Sequence, residues 1–193
     1  MDPRFDGIKN LMDVDHLQRV RLFAVGGGRV GHAFLRLGVH HGIRHVRLIE
    51  PDTVSPRNFA SGFPESWIGG WKGELVRTEL KWRRKDVTVN TSRKARTTND
   101  FDVFFDFLEW STHVAFFIDS FEVVSALVRH AYALRPCVYA ALLERGQVGG
   151  AAFSVPGQTP CLNCTARLFE RQGVAGGETL LGVTLPHFMY QVE

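Results

Sequence analysis

Apolar residues along this chain fall into short continuous runs, and between the runs lie stretches with a helical repeat. Residues 20–25 (VRLFAV) suit a strand buried on both faces, and residues 30–41 follow with helical spacing. Residues 45–49 (HVRLI) predict a second strand. Further on, the pattern predicts a helix over 72–84, a strand over 86–91, a helix near 101–111, a strand over 113–119 and a helix over 121–134. Residues 138–143 return to the sheet, 145–150 (RGQVGG) read as a turn or strand start, and 151–155 form a last strand. Polar residues 1–10 lead in, and 11–19 predict a short helix at the domain edge. Strand and helix in alternation specify an α/β fold, a Rossmann-like doubly wound sheet, mostly parallel, with helices on both faces.

The junction of the first strand with its helix holds Gly26, Gly28 and Gly31 in G-x-G-x-x-G spacing. The first permits a sharp turn, the second lets backbone N–H groups approach an anion, and the third lets the helix lie close on the sheet. Gly38 and Gly42 mark the end of that helix. Glu50 closes the second strand about twenty residues after the glycines, where an acid accepts hydrogen bonds from ribose hydroxyls. Tight packing alone can also place small residues before a helix. Here strand, glycines, helix, second strand and acid occur in one register, which favours a nucleotide site.

Composition narrows the setting. With 193 residues, 45% of them hydrophobic, the chain can bury one doubly wound core, and a single domain over 1–193 is expected. The charge is +3, and Lys81, Arg83, Arg84, Lys85, Arg93, Lys94 and Arg96 face only Asp86 in their stretch. A solvated helix end and loop accounts for such a run, with an acidic partner as the functional alternative. Phe101, Phe104, Phe105 and Phe107 have the spacing of a packed helix face. Three cysteines, two of them in C-x-x-C, fit a reducing compartment, and no signal-peptide pattern or membrane-length apolar run is present, so a cytoplasmic protein is expected. No H-E-x-x-H or G-x-S-x-G motif points to a metalloprotease or a serine hydrolase.

Three further pieces decide the nucleotide. They are Glu50-Pro-Asp52 with the following Asn58, the segment Ile68-Gly-Gly-Trp71-Lys72 opening a helix, and Phe117-Ile-Asp119 ending a strand. With Cys161-Leu-Asn-Cys164 these resemble, in the same order from about residue 14 to about residue 164, the ThiF/MoeB/HesA family, bacterial relatives of ubiquitin-activating enzymes. The resemblance implies ATP-dependent adenylation of a carboxylate, usually the C-terminal glycine of a ubiquitin-like or sulfur-carrier protein, and a homodimer. It further implies that Glu50 and Asp52 bind ribose, that Asn58 and the mobile cation of Lys72 serve the phosphates, and that Asp119 holds Mg²⁺. Cys161 and Cys164 would be the first half of a structural Zn²⁺ site. Trp67 and Trp71, which flank the lysine segment, either pack or shield an adenylate from water.

The chain departs from the family in two places. Three residues after Asn58 the family carries an arginine and this chain has Ser61, whose hydroxyl cannot replace a bidentate guanidinium. Arg57, immediately before Asn58, is the candidate substitute, although a neighbouring position points its side chain elsewhere, and many relatives receive an arginine from a partner subunit. The second C-x-x-C of the family lies beyond Glu193, so either the chain is cut short or the pair is lost, with His187 and Cys137 as the remaining candidates for ligands. No cysteine stands out as a thioester nucleophile, so activity would stop at the adenylate. The alternatives are a non-catalytic nucleotide-binding partner subunit and, further off, an adenylating enzyme acting on tRNA or an NAD-dependent oxidoreductase.

Overall fold

The structure is a computed structural model that describes residues 3–7, 10–93, 101–118, 121–134, 137–144 and 148–159. Helix α1 (Val14–Arg19) starts three residues later than the sequence pattern suggests, because Asp13 caps it by accepting the His16 N–H at 2.8 Å. Strand β1 (Arg21–Val25) leads through the glycine turn into α2 (Arg29–His41), which ends at Gly42. Strand β2 (His45–Ile49) coincides with its predicted span. After a long excursion come α3 (Lys72–Arg83), β3 (Thr88–Ser92), α4 (Phe101–Trp110) and β4 (His113–Phe116). Helix α5 (Phe121–Leu134) and strands β5 (Cys137–Glu144) and β6 (Val148–Ser154) complete the described chain.

These strands make one six-stranded sheet in the order β3-β2-β1-β4-β5-β6. All neighbours are parallel except the β5–β6 pair, where β6 returns antiparallel with Val138 opposite Ser154. The order reverses between β1 and β4, so their carboxyl ends flank a topological switch point, the place where such sheets bind ligands. Strand β4 stops at Phe116 because its partner β1 stops at Val25, where the chain turns away at Gly26. The ladder has nothing further to pair with.

Side chains alternate across the sheet. Phe23 and Val25 enter a cluster with Phe104, Phe107, Leu108, Phe116 and Val128, while Leu22 and Ala24 enter another with Leu35, Val39, Leu48, Phe63, Val76 and Leu80. Phe104 and Phe107 of α4 are core, and their rings meet that of Phe23 edge to face at 5.4 and 5.6 Å.

Candidate nucleotide site

The carboxyl end of β1 is locked by the backbone to those of β2 and β4. Gly26 N–H donates to the Ile49 carbonyl at 2.9 Å, and Phe117 N–H donates to Val25 at 2.7 Å. Gly26 has φ +96°, and a Cβ there would strike the Phe117 carbonyl oxygen. A Cβ on Gly31 would strike the Gly26 carbonyl oxygen, so the third glycine fixes the close approach of helix to turn. Around a Cβ on Gly28 there is nothing within 4 Å. Gly28 caps α2, so the helix N-terminus, with its orphan N–H groups and partial positive charge, opens onto clear space, as an anion site requires.

Gly27, which the G-x-G-x-x-G pattern passes over, is equally constrained. Its N–H donates to Glu50 Oε2 at 2.5 Å, and a Cβ would lie 3.3 Å from that oxygen and 3.4 Å from Leu48. Glu50 Oε1 accepts the Asp52 N–H at 2.9 Å. Glu50 is only 4% exposed, and burial raises its carboxyl above the usual value against the opposing pull of these N–H groups and of Lys72. Glu50 therefore braces the glycine turn, and each oxygen keeps acceptor capacity for one more donor. Asp52, its side chain 48% exposed, is the more open of the two acids.

Lys72 begins α3. Its N–H donates to the Asp52 carbonyl at 3.0 Å, and its Nζ lies 3.5 Å from Asp52 Oδ2. At 8% exposure it is a held cation rather than the mobile one expected from the sequence. Trp71 explains the placement: its Nε1–H donates to the Glu50 carbonyl at 2.5 Å, and its backbone forms an antiparallel bridge with Thr53. The excursion from β2 to α3 is thus closed at its base. Within it, Pro56–Ser61 forms a short 3-10 turn in which Asn58 Oδ1 accepts the Ser55 N–H at 2.8 Å and the Ser55 hydroxyl at 3.0 Å. With its oxygen pinned in this way, the amide of Asn58 offers its NH₂ as donor.

His32 is a further buried residue of this region. On the buried face of α2 with Leu35 and Val39, it stacks on Phe63 at 4.8 Å, and its Nε2 lies 2.6 Å from Glu79 Oε2 of α3. Burial lowers its pKa, with Glu79 opposing. Arg36 and Arg83 reach the same Glu79 at 3.3 and 2.7 Å. A histidine in register with core positions was the available signal in the sequence.

The basic run divides. Arg84 is buried at 6% exposure, donates to both oxygens of Asp86 at 2.7 and 3.1 Å and to the Val39 carbonyl at 3.2 Å, and lies over the Phe5 ring. It belongs to the interior, not to a solvated helix end. Arg93, just past β3, lies over Trp71 with its guanidinium carbon 4.7 Å from the ring centroid. Trp82, by contrast, is 79% exposed.

Gly26, Gly28, Gly31, Glu50, Asp52 and Lys72 are thereby gathered around the carboxyl ends of β1 and β2, with Asn58 on the excursion between Asp52 and Lys72. Asp119, Cys161 and Cys164 lie outside the described residues, as do His187, Lys94 and Arg96. Among the described residues, no group of three or more His, Cys, Asp or Glu side chains could hold a metal ion, and no helix is long and apolar enough to cross a membrane.

Sheet order, switch point and glycine turn define a doubly wound α/β domain of the nucleotide-binding kind. More narrowly, the chain belongs to the ThiF family, whose sequence profile matches residues 5–184. No curated protein matches it. Among solved structures it is similar to E. coli MccB in complex with AMPCPP and MccA, at TM-score 0.70 and 18% identity over 82% of this chain and 48% of that one. E. coli MccB with ATP gives a TM-score of 0.67 at 18% identity, over 87% of this chain and 52% of that one. The microcin C7 biosynthetic enzyme MccB with N-formylated MccA gives 0.69 at 21%, over 86% and 47%. The chain spans about half the length of these proteins, and the likeness is one of fold.

Proposed function

We propose that this chain binds ATP and adenylates a carboxylate, the C-terminal one of a ubiquitin-like or sulfur-carrier protein. The observation that carries the reading is Lys72, a cation at a helix start with Nζ 3.5 Å from Asp52, beside the ribose-type acids, of which Glu50 is bonded to the glycine turn that opens α2. Phosphoryl chemistry depends on such a cation, whereas the loop that carries Asn58 and Lys72 has no obvious task in hydride transfer. Family membership adds support, and so do the MccB structures solved with ATP, AMPCPP and MccA.

In the reaction proposed, a carboxylate oxygen attacks the α-phosphorus. The new O–P bond forms as the bond from that phosphorus to the bridging oxygen breaks, and pyrophosphate leaves with the electron pair. No proton moves, so the protein's task is to position and to stabilise charge. The N–H groups opening α2 and the ammonium of Lys72 face the charge that develops on the phosphoryl oxygens, and the pinned amide of Asn58 donates without adding charge. Glu50 and Asp52 hold the ribose. Magnesium would neutralise further phosphate charge when bound. The described residues hold no group of three or more His, Cys, Asp or Glu side chains that could hold a metal, and the proposed magnesium ligand is Asp119. Cys161 and Cys164 remain the proposed half of a zinc site.

The test is exchange of labelled pyrophosphate into ATP in the presence of candidate carrier proteins. Wild type should exchange only with its cognate acceptor, and Lys72→Ala should lose at least about a hundredfold with its circular dichroism unchanged. ATP binding without exchange with any acceptor would point to the partner-subunit reading, which Ser61 favours. Tighter binding of NAD than of ATP would remove the adenylation reading.

A further inference from the structure

Arg93 follows the last residue of β3, and β3 lies beyond β2 from the glycine turn. A nucleotide with phosphates on the N-terminus of α2 and ribose on the acids after β2 runs across the carboxyl ends in the order β1, β2, β3. Neighbouring strands are about 4.8 Å apart, so its base arrives over the end of β3, about 10 Å from the phosphate turn. The chain places a planar cation on a fixed aromatic ring there.

The ring is fixed by three separate contacts. Trp71 Nε1–H donates to the Glu50 carbonyl, the Trp71 backbone bridges Thr53, and the indole lies so close to Gly73 that a Cβ there would come within 2.7 Å of it. Glu50 N–H donates to the Ser92 carbonyl at 3.0 Å, which ties the residue before Arg93 to the ribose acid. Arg93 itself is exposed, and no carboxylate pairs with it among the described residues. One face of the guanidinium rests on Trp71, which leaves the other for a second flat partner.

We propose that Arg93, seated on Trp71, is the stacking wall for the base of the bound nucleotide. It is a specificity-determining residue, and it does not replace the phosphate-binding arginine whose place Ser61 takes. The proposal rests on the nucleotide reading above and adds to it the residue that recognises the base. Lys72, adjoining Asp52 and the ribose acids, is the cation nearer the phosphate path, while Arg93 stands at its far end.

The experiment is calorimetric titration of the full chain with ATP and, separately, with inorganic tripolyphosphate, both in magnesium buffer. The proteins are wild type, Arg93→Ala, Arg93→Lys and Trp71→Phe. Because Arg93 is exposed, unchanged thermal midpoints serve as the fold control. Loss of the stack should weaken ATP about tenfold or more in Arg93→Ala and leave tripolyphosphate unchanged. Arg93→Lys, which keeps the charge and loses the plane, should follow the alanine variant. Trp71→Phe, which keeps a ring but loses the Nε1–H bond that fixes it, should weaken ATP by less than Arg93→Ala does. Equal weakening of ATP and tripolyphosphate would make Arg93 a phosphate ligand and overturn the proposal. Unchanged ATP binding in Arg93→Ala would reduce the stack to surface packing. Preference of wild type for NADP over ATP, lost in Arg93→Ala, would assign the guanidinium to a 2′-phosphate instead. A wild type that binds no ATP at all removes the nucleotide reading and this proposal with it.

Discussion

The two ends of the sheet treat charge in opposite ways. At the amino ends of the strands, Arg84 is buried against Asp86, and Arg4 and Arg44 reach the same carboxylate at 3.4 Å, so acid and base satisfy one another. At the carboxyl ends, Glu50 is held by backbone N–H groups, Asn58 by the Ser55 turn and Arg93 by an indole face. Groups held by backbone and rings keep their own hydrogen-bonding capacity. The contrast separates a charge cluster that builds the fold from one that is positioned and left with capacity for a ligand.

The sharpest test of the contrast exchanges one cation from each end. Arg84→Ala should cost about 2–3 kcal/mol in urea denaturation, because it removes a buried guanidinium packed on Phe5, its bonds to Asp86 and the donor to the Val39 carbonyl, and should leave nucleotide affinity intact. Lys72→Met, which keeps the packed stem, should change stability by less than about 1 kcal/mol and abolish pyrophosphate exchange. Equal stability losses in the two variants would erase the distinction.

Two glycines of one turn give the next largest difference. Gly31→Ala should destabilise by about 1–3 kcal/mol through collision with the Gly26 carbonyl. Gly28→Ala, with open space around its Cβ, should cost less than about 1 kcal/mol yet weaken ATP, since the methyl enters the anion's space. Denaturation and calorimetry on the same pair of variants decide the matter.

Acidity should separate the ends more gently. The Arg84 guanidinium holds the Asp86 carboxyl down at about 2, so its stabilising contribution is present above the ordinary value of 3.8 and is lost as pH falls toward 2. Burial pushes Glu50 the other way. The stability tied to its protonated form is complete below its ordinary 4.5 and is lost as pH rises through the raised value. In denaturation across that range, Asp86→Asn should flatten the acid limb, and Glu50→Gln should flatten the opposite slope. The smallest effect is reserved for Trp82→Ala, which should move stability by no more than about 0.5 kcal/mol, since the ring is 79% exposed.

What the sequence makes legible follows from how local each determinant is. Strand β2 and the start of α3 are set by residues within their own span, so their limits were readable. The glycine turn was readable too, because its parts are contiguous. The burial of Arg84 was not, since its partners are Phe5, Val39 and Asp86, and the first two lie far away in sequence. Nor was the restraint on Lys72, which depends on a bridge between Thr53 and Trp71 across the whole excursion. The acid Asp119 and the pair Cys161 and Cys164 lie outside the described residues, so their reading still rests on the family pattern alone.

Glu50 has a consequence for how this site can change over time. Its carboxylate joins the N–H of Gly27 on one turn to the N–H of Asp52 on the next, so the two turns form one mechanical piece. An aspartate is one methylene shorter and would leave the Gly27 donor unmet, while any side chain at position 27 would crowd the longer acid. Glutamate and the middle glycine should therefore be inherited as a couple. A relative that keeps one without the other will have had to rebuild the floor of its nucleotide site.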